Sequence, residues 1–207
     1  RTIGRKSTEE DIQIANRFLE LFKKSFVNEI DYKVYIDFLR FKLNNPNVKY
    51  PYNMACFEGS GTFKTTLIQS LNEFIKQKNF TIESITQTPF NEWKKTTQLL
   101  LIDELPADVK DANTVRAEIK RLADETGQLM IKSVQNTQDV KQRFNMVINS
   151  NYGNFGGLFD NQTENEMFRR FHIIKKQKLT TEDITEAHKV FEEPERTEAL
   201  IAIIRDT

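Results

Sequence analysis

A single cysteine, Cys56, stands among 207 residues, which excludes an internal disulfide framework and any cysteine-rich zinc cluster. The two histidines add few metal ligands. Net charge is lacking too: 30 Lys plus Arg face 30 Asp plus Glu, so a surface that is basic all over is excluded. Contact with nucleic acid must then come from local clusters or from several subunits pooling theirs. No stretch approaches the ~18 apolar residues a membrane span requires, and Arg1-Thr2-Ile3-Gly4-Arg5-Lys6 has no signal-peptide core. These absences predict a cytoplasmic protein without a membrane partner. The first residue is not Met, from which a piece of a longer protein is expected. What remains is 38% hydrophobic and 11% aromatic, enough for a folded core in one domain with a small appendage.

Helical spacing of Ile12, Ala15, Phe18, Leu19, Phe22 and Phe26 predicts an amphipathic helix opened by a Ser7/Glu10 capping box. A second helix over Tyr32 to Leu43 is stopped by Asn44-Asn45-Pro46-Asn47. Apolar runs at Tyr52 to Phe57, Phe80 to Ile85, Gln98 to Leu105, Asn145 to Ile148 and Phe171 to Ile174 alternate with helical or loop-rich segments. That order predicts an α/β fold with a central, mostly parallel five-stranded sheet flanked by helices. The expected division is a helical segment at 1–48, a core at 49–178 and, from an N-cap at Thr181, a small helical lid at 179–207.

The first run leads into Glu58-Gly59-Ser60-Gly61-Thr62-Phe63-Lys64-Thr65-Thr66. A glycine loop between strand and helix presents successive backbone N–H groups to an anion. Lys64 adds a mobile positive charge for β and γ phosphates, and Thr65 a hydroxyl for Mg²⁺. Glu58 and Phe63 stand where a phosphate loop of this type carries its outer glycines. A plain glycine turn with an incidental lysine is the competing reading. The buried strand Leu99 to Ile102 then delivers Asp103 and Glu104, one suited to a Mg²⁺ shell and the other to polarising a water in ATP hydrolysis. Asn151, at the tip of Arg143 to Asn151, can bond a γ-phosphate or that water; Asn149 is the alternative. Lys175-Lys176-Gln177-Lys178 reads either as a solvated run or as a nucleic-acid contact, while His172 and His188 read as packing or surface residues. Trp93 reads as a loop anchor or a base-stacking residue.

The order of these elements resembles the superfamily 3 helicases, viral, phage and plasmid members of the AAA+ class of P-loop ATPases, over residues 30 to 178. Tyr32 to Asn47 followed by strand and phosphate loop looks most like the helicase part of phage primase-helicases. The resemblance places Lys64 and Thr65 on the Walker A lysine and hydroxyl, Asp103 and Glu104 on the Walker B acids, and Asn151 on the motif C sensor. It implies a β-hairpin gripping single-stranded DNA: Leu129 to Val134 and Val140 to Arg143 flank the turn Gln135-Asn136-Thr137-Gln138, with Lys132, Gln135, Asn136 and Lys141 as DNA contacts. It implies an arginine finger acting in trans, Arg170 first and Arg169 second, hence a homo-oligomer, a hexameric ring, in which six hairpins pool their charge. ATP and Mg²⁺, a linked primase or polymerase domain and a host-cell cytoplasmic location follow from the same resemblance. The alternative is a ring-forming DNA-binding module whose altered phosphate loop turns over little nucleotide; a small-molecule P-loop kinase fits the paired acids less well.

Overall fold

Thr8, not Ser7, starts the first helix. Its hydroxyl accepts the Asp11 N–H at 3.3 Å while Asp11 Oδ2 accepts the Thr8 N–H at 2.7 Å, so the capping box lies one residue beyond the expected Ser7/Glu10 pair. Ser7 donates to Glu195 O instead, at 3.0 Å. Spacing alone cannot separate the two pairs; what separates them is that Asp11 is buried while Glu10 faces solvent. The computed structural model describes residues 6–81, 92–104, 112–124, 126–130, 137–141, 143–151, 167 and 169–207.

Helix α1 (Glu9–Lys24) turns Ala15, Phe18, Leu21 and Phe22 inward, and α2 (Glu29–Asn44), capped by Asn28, adds Tyr35, Phe38 and Leu39. Beside them lies a sheet of β1 (Asn53–Phe57), β2 (Gln77–Phe80), β3 (Leu99–Ile102), β6 (Asn145–Asn149) and β7 (Phe171–Lys175), in the order β2-β3-β6-β1-β7 with every pairing parallel. Its central strands are apolar and buried on both faces, as a covered parallel sheet requires. Met54, Cys56, Leu99, Leu101, Val147 and Ile174 meet α1, α2 and the remaining helices of that side, α3 (Lys64–Ser70), α5 (Thr181–His188) and α6 (Pro194–Asp206). Ala55, Leu100, Ile102, Met146 and Ile148 face α4 (Ala112–Ala123) through Val115, Ile119 and Leu122. The period-2 alternation of each strand thus divides the core between two helical layers.

Further boundaries differ from expectation: β2 occupies Gln77–Phe80, ahead of the run expected at Phe80 to Ile85, whose last four residues lie outside the described ones. The helix after the glycine loop begins at Lys64 itself and ends in a 3₁₀ turn at Leu71–Glu73. Helix α5 is capped by Thr180, whose hydroxyl accepts the Asp183 N–H at 3.1 Å, rather than by Thr181. Pro194 opens α6 at a position where its missing N–H has no helical acceptor in any case.

Phe63 explains a departure visible in the sequence. Its φ of 57° is the left-handed conformation that favours glycine, yet its ring packs 5.6 Å from Phe18 and 5.8 Å from Phe191, between α1 and the C-terminal helices. Strain of about 1–3 kcal/mol is offset by ring burial, whose removal carries about 3–5 kcal/mol. Phe63→Gly is therefore expected to lower stability by about 1–3 kcal/mol in a urea melt. Glu58, at φ 60°, loses only an exposed ion pair with Lys175 worth ~0–1 kcal/mol, so Glu58→Gly should stay within about 1 kcal/mol of wild type. Equal effects of the two substitutions would contradict this account.

Candidate functional site

The glycine loop leaves the carboxyl end of β1. Its backbone takes left-handed φ values at Glu58 (60°), Gly59 (60°), Gly61 (73°) and Phe63 (57°), folding the chain tightly over its own start. Gly59 is required by space as well as by φ: an added Cβ would lie 2.8 Å from Lys176 Cβ. At Gly61 it would lie 2.7 Å from Ile184 Cδ1 on α5, so the C-terminal helices close against the loop. Thr62 donates to Gly59 O at 2.7 Å, and Ser60, Gly61 and Thr66 are exposed. A groove of about 580 Å³ runs from Thr66 along α3 to Phe191, Pro194 and Thr197.

Lys64 opens α3 and reaches back across the loop. Its ammonium donates to the Glu58 carbonyl, to Gly59 O at 3.3 Å and to Asn151 Oδ1 at 3.1 Å. Burial lowers its pKa below 10.5, opposed by Cys56 and Asp103. Thr65, one residue on, donates to Asp103 Oδ1 at 2.6 Å, and its Oγ1 accepts from Asn149 Nδ2 at 3.3 Å. Strand β6 lies between β1 and β3. It therefore carries Asn149 and Asn151 into the gap between the loop and the acids, and ligands gather at such strand ends in open α/β sheets. Glu104 follows Asp103 at φ 56°, an exposed carboxylate on a strained backbone. Two hydrogen-bonded groups thus lie side by side, Lys64 with Asn151 and Thr65 with Asp103 and Asn149, joined by the Lys64–Thr65 peptide bond. Among the described residues no three His, Cys, Asp or Glu are grouped to hold a metal by themselves. The donor set here, a hydroxyl and one carboxylate, suits Mg²⁺ arriving with the remainder of its shell as phosphate and water.

Arg169 and Arg170 stand elsewhere. They precede β7, whose first residue pairs with Asn53 and whose last pairs with Phe57 at the loop. A five-residue strand, about 16 Å at ~3.3 Å per residue, separates them from Lys64. Arg170 is ion-paired to Asp124 at the end of α4 (2.8 Å), and its carbonyl accepts the Asn53 N–H; Arg169 is exposed. The hairpin is present as β4 (Thr126–Met130) and β5 (Thr137–Lys141), antiparallel, about three residues earlier than the predicted strands. Lys141 pairs with Thr126 at its open end, and Thr137 and Gln138, expected in the turn, lie in β5. Lys132, Gln135 and Asn136 lie outside the described residues.

Lys176 corrects the solvated-run reading. Its side chain is 1% exposed; Nζ donates to Ser25 Oγ at 2.7 Å and lies 3.9 Å from the Phe22 ring centroid and 3.3 Å from that of Phe26. A signal existed in strand parity: residue 176 falls on the same side as Ile174, which faces the helical layer. His172 bonds Asp31 of α2 at 2.9 Å, and Trp93 packs 5.5 Å from Phe144, so both serve packing. Among the described residues no helix is long and apolar enough to cross a membrane.

No protein-family model and no curated protein matches the sequence. Solved structures do, at the level of fold. An apo structure of the NrS-1 C-terminal region superposes with a TM-score of 0.67 over 98% of this chain and 47% of that one, at 18% identity. An A-form apo structure of the same region gives 0.61 over 97% and 46%, again at 18% identity. A JCV helicase bound to a small molecule gives 0.55 over 96% of this chain and 54% of that chain, at 11% identity. The chain thus spans about half the length of the solved proteins it matches, and it shares its five-stranded parallel α/β fold with the NrS-1 C-terminal region and the JCV helicase.

Proposed function

We propose that this chain is the ATPase motor of a superfamily 3 DNA helicase from a phage or plasmid replication protein of the primase-helicase type. The observation that carries the reading is the convergence of Lys64, Thr65, Asp103 and Asn151 from three separate strand ends into one cluster. Sequence order alone does not bring them together. The Lys64 ammonium neutralises the β and γ phosphates of ATP, and Asn151, bonded to that ammonium, holds the γ-phosphate end. Mg²⁺, when bound through Thr65 and Asp103, offsets negative charge on the phosphates. Glu104 orients water for attack on the γ-phosphorus and takes its proton as the bond to the β–γ bridging oxygen breaks. The groove beside Thr66 gives the nucleoside end room.

Arg169 and Arg170 cannot serve their own pocket from the opposite end of the strands, so a finger must act on a neighbouring copy. Arg169, exposed, is better placed for this than Arg170, which Asp124 holds. A ring, hexameric in the resembled family, also brings the β4–β5 hairpins together on single-stranded DNA, where a neutral chain gains local positive potential by repetition. A linked primase or polymerase domain completes the proposal.

The test is phosphate release from Mg-ATP with and without a single-stranded oligonucleotide. Wild type should hydrolyse ATP faster with DNA, and Glu104→Gln should lose about 10²-fold or more of the rate while still binding nucleotide. Equal, DNA-insensitive rates for both proteins would remove the assignment.

A further inference from the structure

Thr65 Oγ1 has one proton and two lone pairs. The proton goes to Asp103 Oδ1 at 2.6 Å, so the oxygen can only accept from Asn149, whose amide nitrogen lies 3.3 Å away. This fixes the amide's orientation without reference to electron counts of O and N. One lone pair of Thr65 is then occupied, and a single one remains, with a direction set by its two partners. Asn149 itself is 1% exposed, and its Oδ1 has no hydrogen-bond partner among the described residues. A buried amide oxygen without a donor is unfavourable by about 1–3 kcal/mol, so its retention at this place needs a reason. Both amide atoms sit on one carbon, which puts the orphaned acceptor beside Thr65 as well.

We propose that Asn149 is a positioning residue for the divalent cation: its N–H aims the free lone pair of Thr65 at the metal, and its Oδ1 accepts a hydrogen bond from the cation's hydration shell. The inference rests on the reading of this cluster as a Mg-nucleotide site. It divides Asn149, the last residue of β6, from Asn151, two residues beyond the strand, by task. Asn151 touches Lys64 and belongs to the phosphate side, while Asn149 touches the hydroxyl that Asp103 shares and belongs to the metal side. Residues of this outer kind change metal affinity by about 10–100-fold when removed.

Binding of a fluorescent ATP analogue is followed by anisotropy, first in EDTA and then along a Mg²⁺ titration, for wild type, Asn149→Ala, Asn149→Leu and Asn151→Ala. Both Asn149 variants should need about tenfold or more Mg²⁺ for half-maximal enhancement of binding, with metal-free affinity within about twofold of wild type. Asn151→Ala should show the reverse, weaker metal-free binding at an unchanged Mg²⁺ midpoint. An unchanged midpoint in Asn149→Ala and Asn149→Leu overturns the proposal. So does a loss of metal-free binding in both, since that marks a structural role only. Should wild type itself bind no nucleotide with or without Mg²⁺, the reading of the site fails first and carries this inference with it.

Discussion

Replacing Lys64 by alanine is expected to weaken ATP binding by about 10²-fold and to abolish measurable turnover. The side chain is buried to 7% exposure and carries the cationic group that bridges the loop carbonyls to Asn151. Hydrogen bonds to charged partners contribute about 1.5–3 kcal/mol each, and about 1.4 kcal/mol is tenfold in an equilibrium; loss of two phosphate contacts therefore accounts for the figure. Folding should survive, because alanine is compatible with the start of α3 and leaves no buried charge behind. Isothermal titration with ATP, paired with a thermal melt, checks both halves. Micromolar binding by the folded Lys64→Ala variant would move the nucleotide away from this loop. Failure of wild type to bind would instead favour the DNA-binding module with little turnover.

The second large effect concerns Lys176, whose burial, opposed by Cys56 and reinforced by Lys64, depresses its pKa well below 10.5. Below the folded-state pKa both folded and unfolded chains carry the proton, and the full desolvation penalty is present. Between that value and 10.5 the unfolded chain holds a proton that the folded chain has lost, so stability rises with pH, by about 1.4 kcal/mol per unit. Above 10.5 both forms are neutral and the penalty is gone. Lys176→Met keeps the volume between Phe22 and Phe26 without the charge. The stability difference between wild type and this variant should therefore shift in favour of wild type as pH is raised through that window, which urea melts from pH 6 to 10 would read. Lys176→Ala leaves a cavity against the same rings and, since neither variant titrates here, should be less stable than Lys176→Met by about 2–5 kcal/mol at every pH. A pH-independent difference between wild type and Lys176→Met would mean that the ammonium is not titrating in its aromatic surroundings. The candidate site is coupled to folding here, since Lys176 Cβ also backs Gly59 of the glycine loop.

Much of this molecule is written locally. The runs Leu99 to Ile102 and Asn145 to Ile148 are apolar enough to be strands only if buried on both faces, which requires a parallel sheet with helices on either side. Lys64-Thr65 after a glycine loop and Asp103-Glu104 after an apolar strand stand out as candidate site residues by residue type and spacing. Local patterns fall short wherever adjacent residues offer equivalent chemistry. Ser7 or Thr8, Thr180 or Thr181 and the ends of the hairpin were decided by which residue the packed core and the cross-strand register left available.

The sequence by itself therefore determined the fold class, the residue types of the candidate site and their order, because periodicity and turn chemistry act over a few residues. Tertiary structure alone decided that β6 enters between β1 and β3, bringing Asn149 to Thr65 and Asn151 to Lys64. It alone buried Lys176 among aromatic rings and gave Phe63 a reason to hold a glycine's conformation. Strand order and side-chain burial are set by contacts between segments far apart in the chain, whose free energy no local window contains.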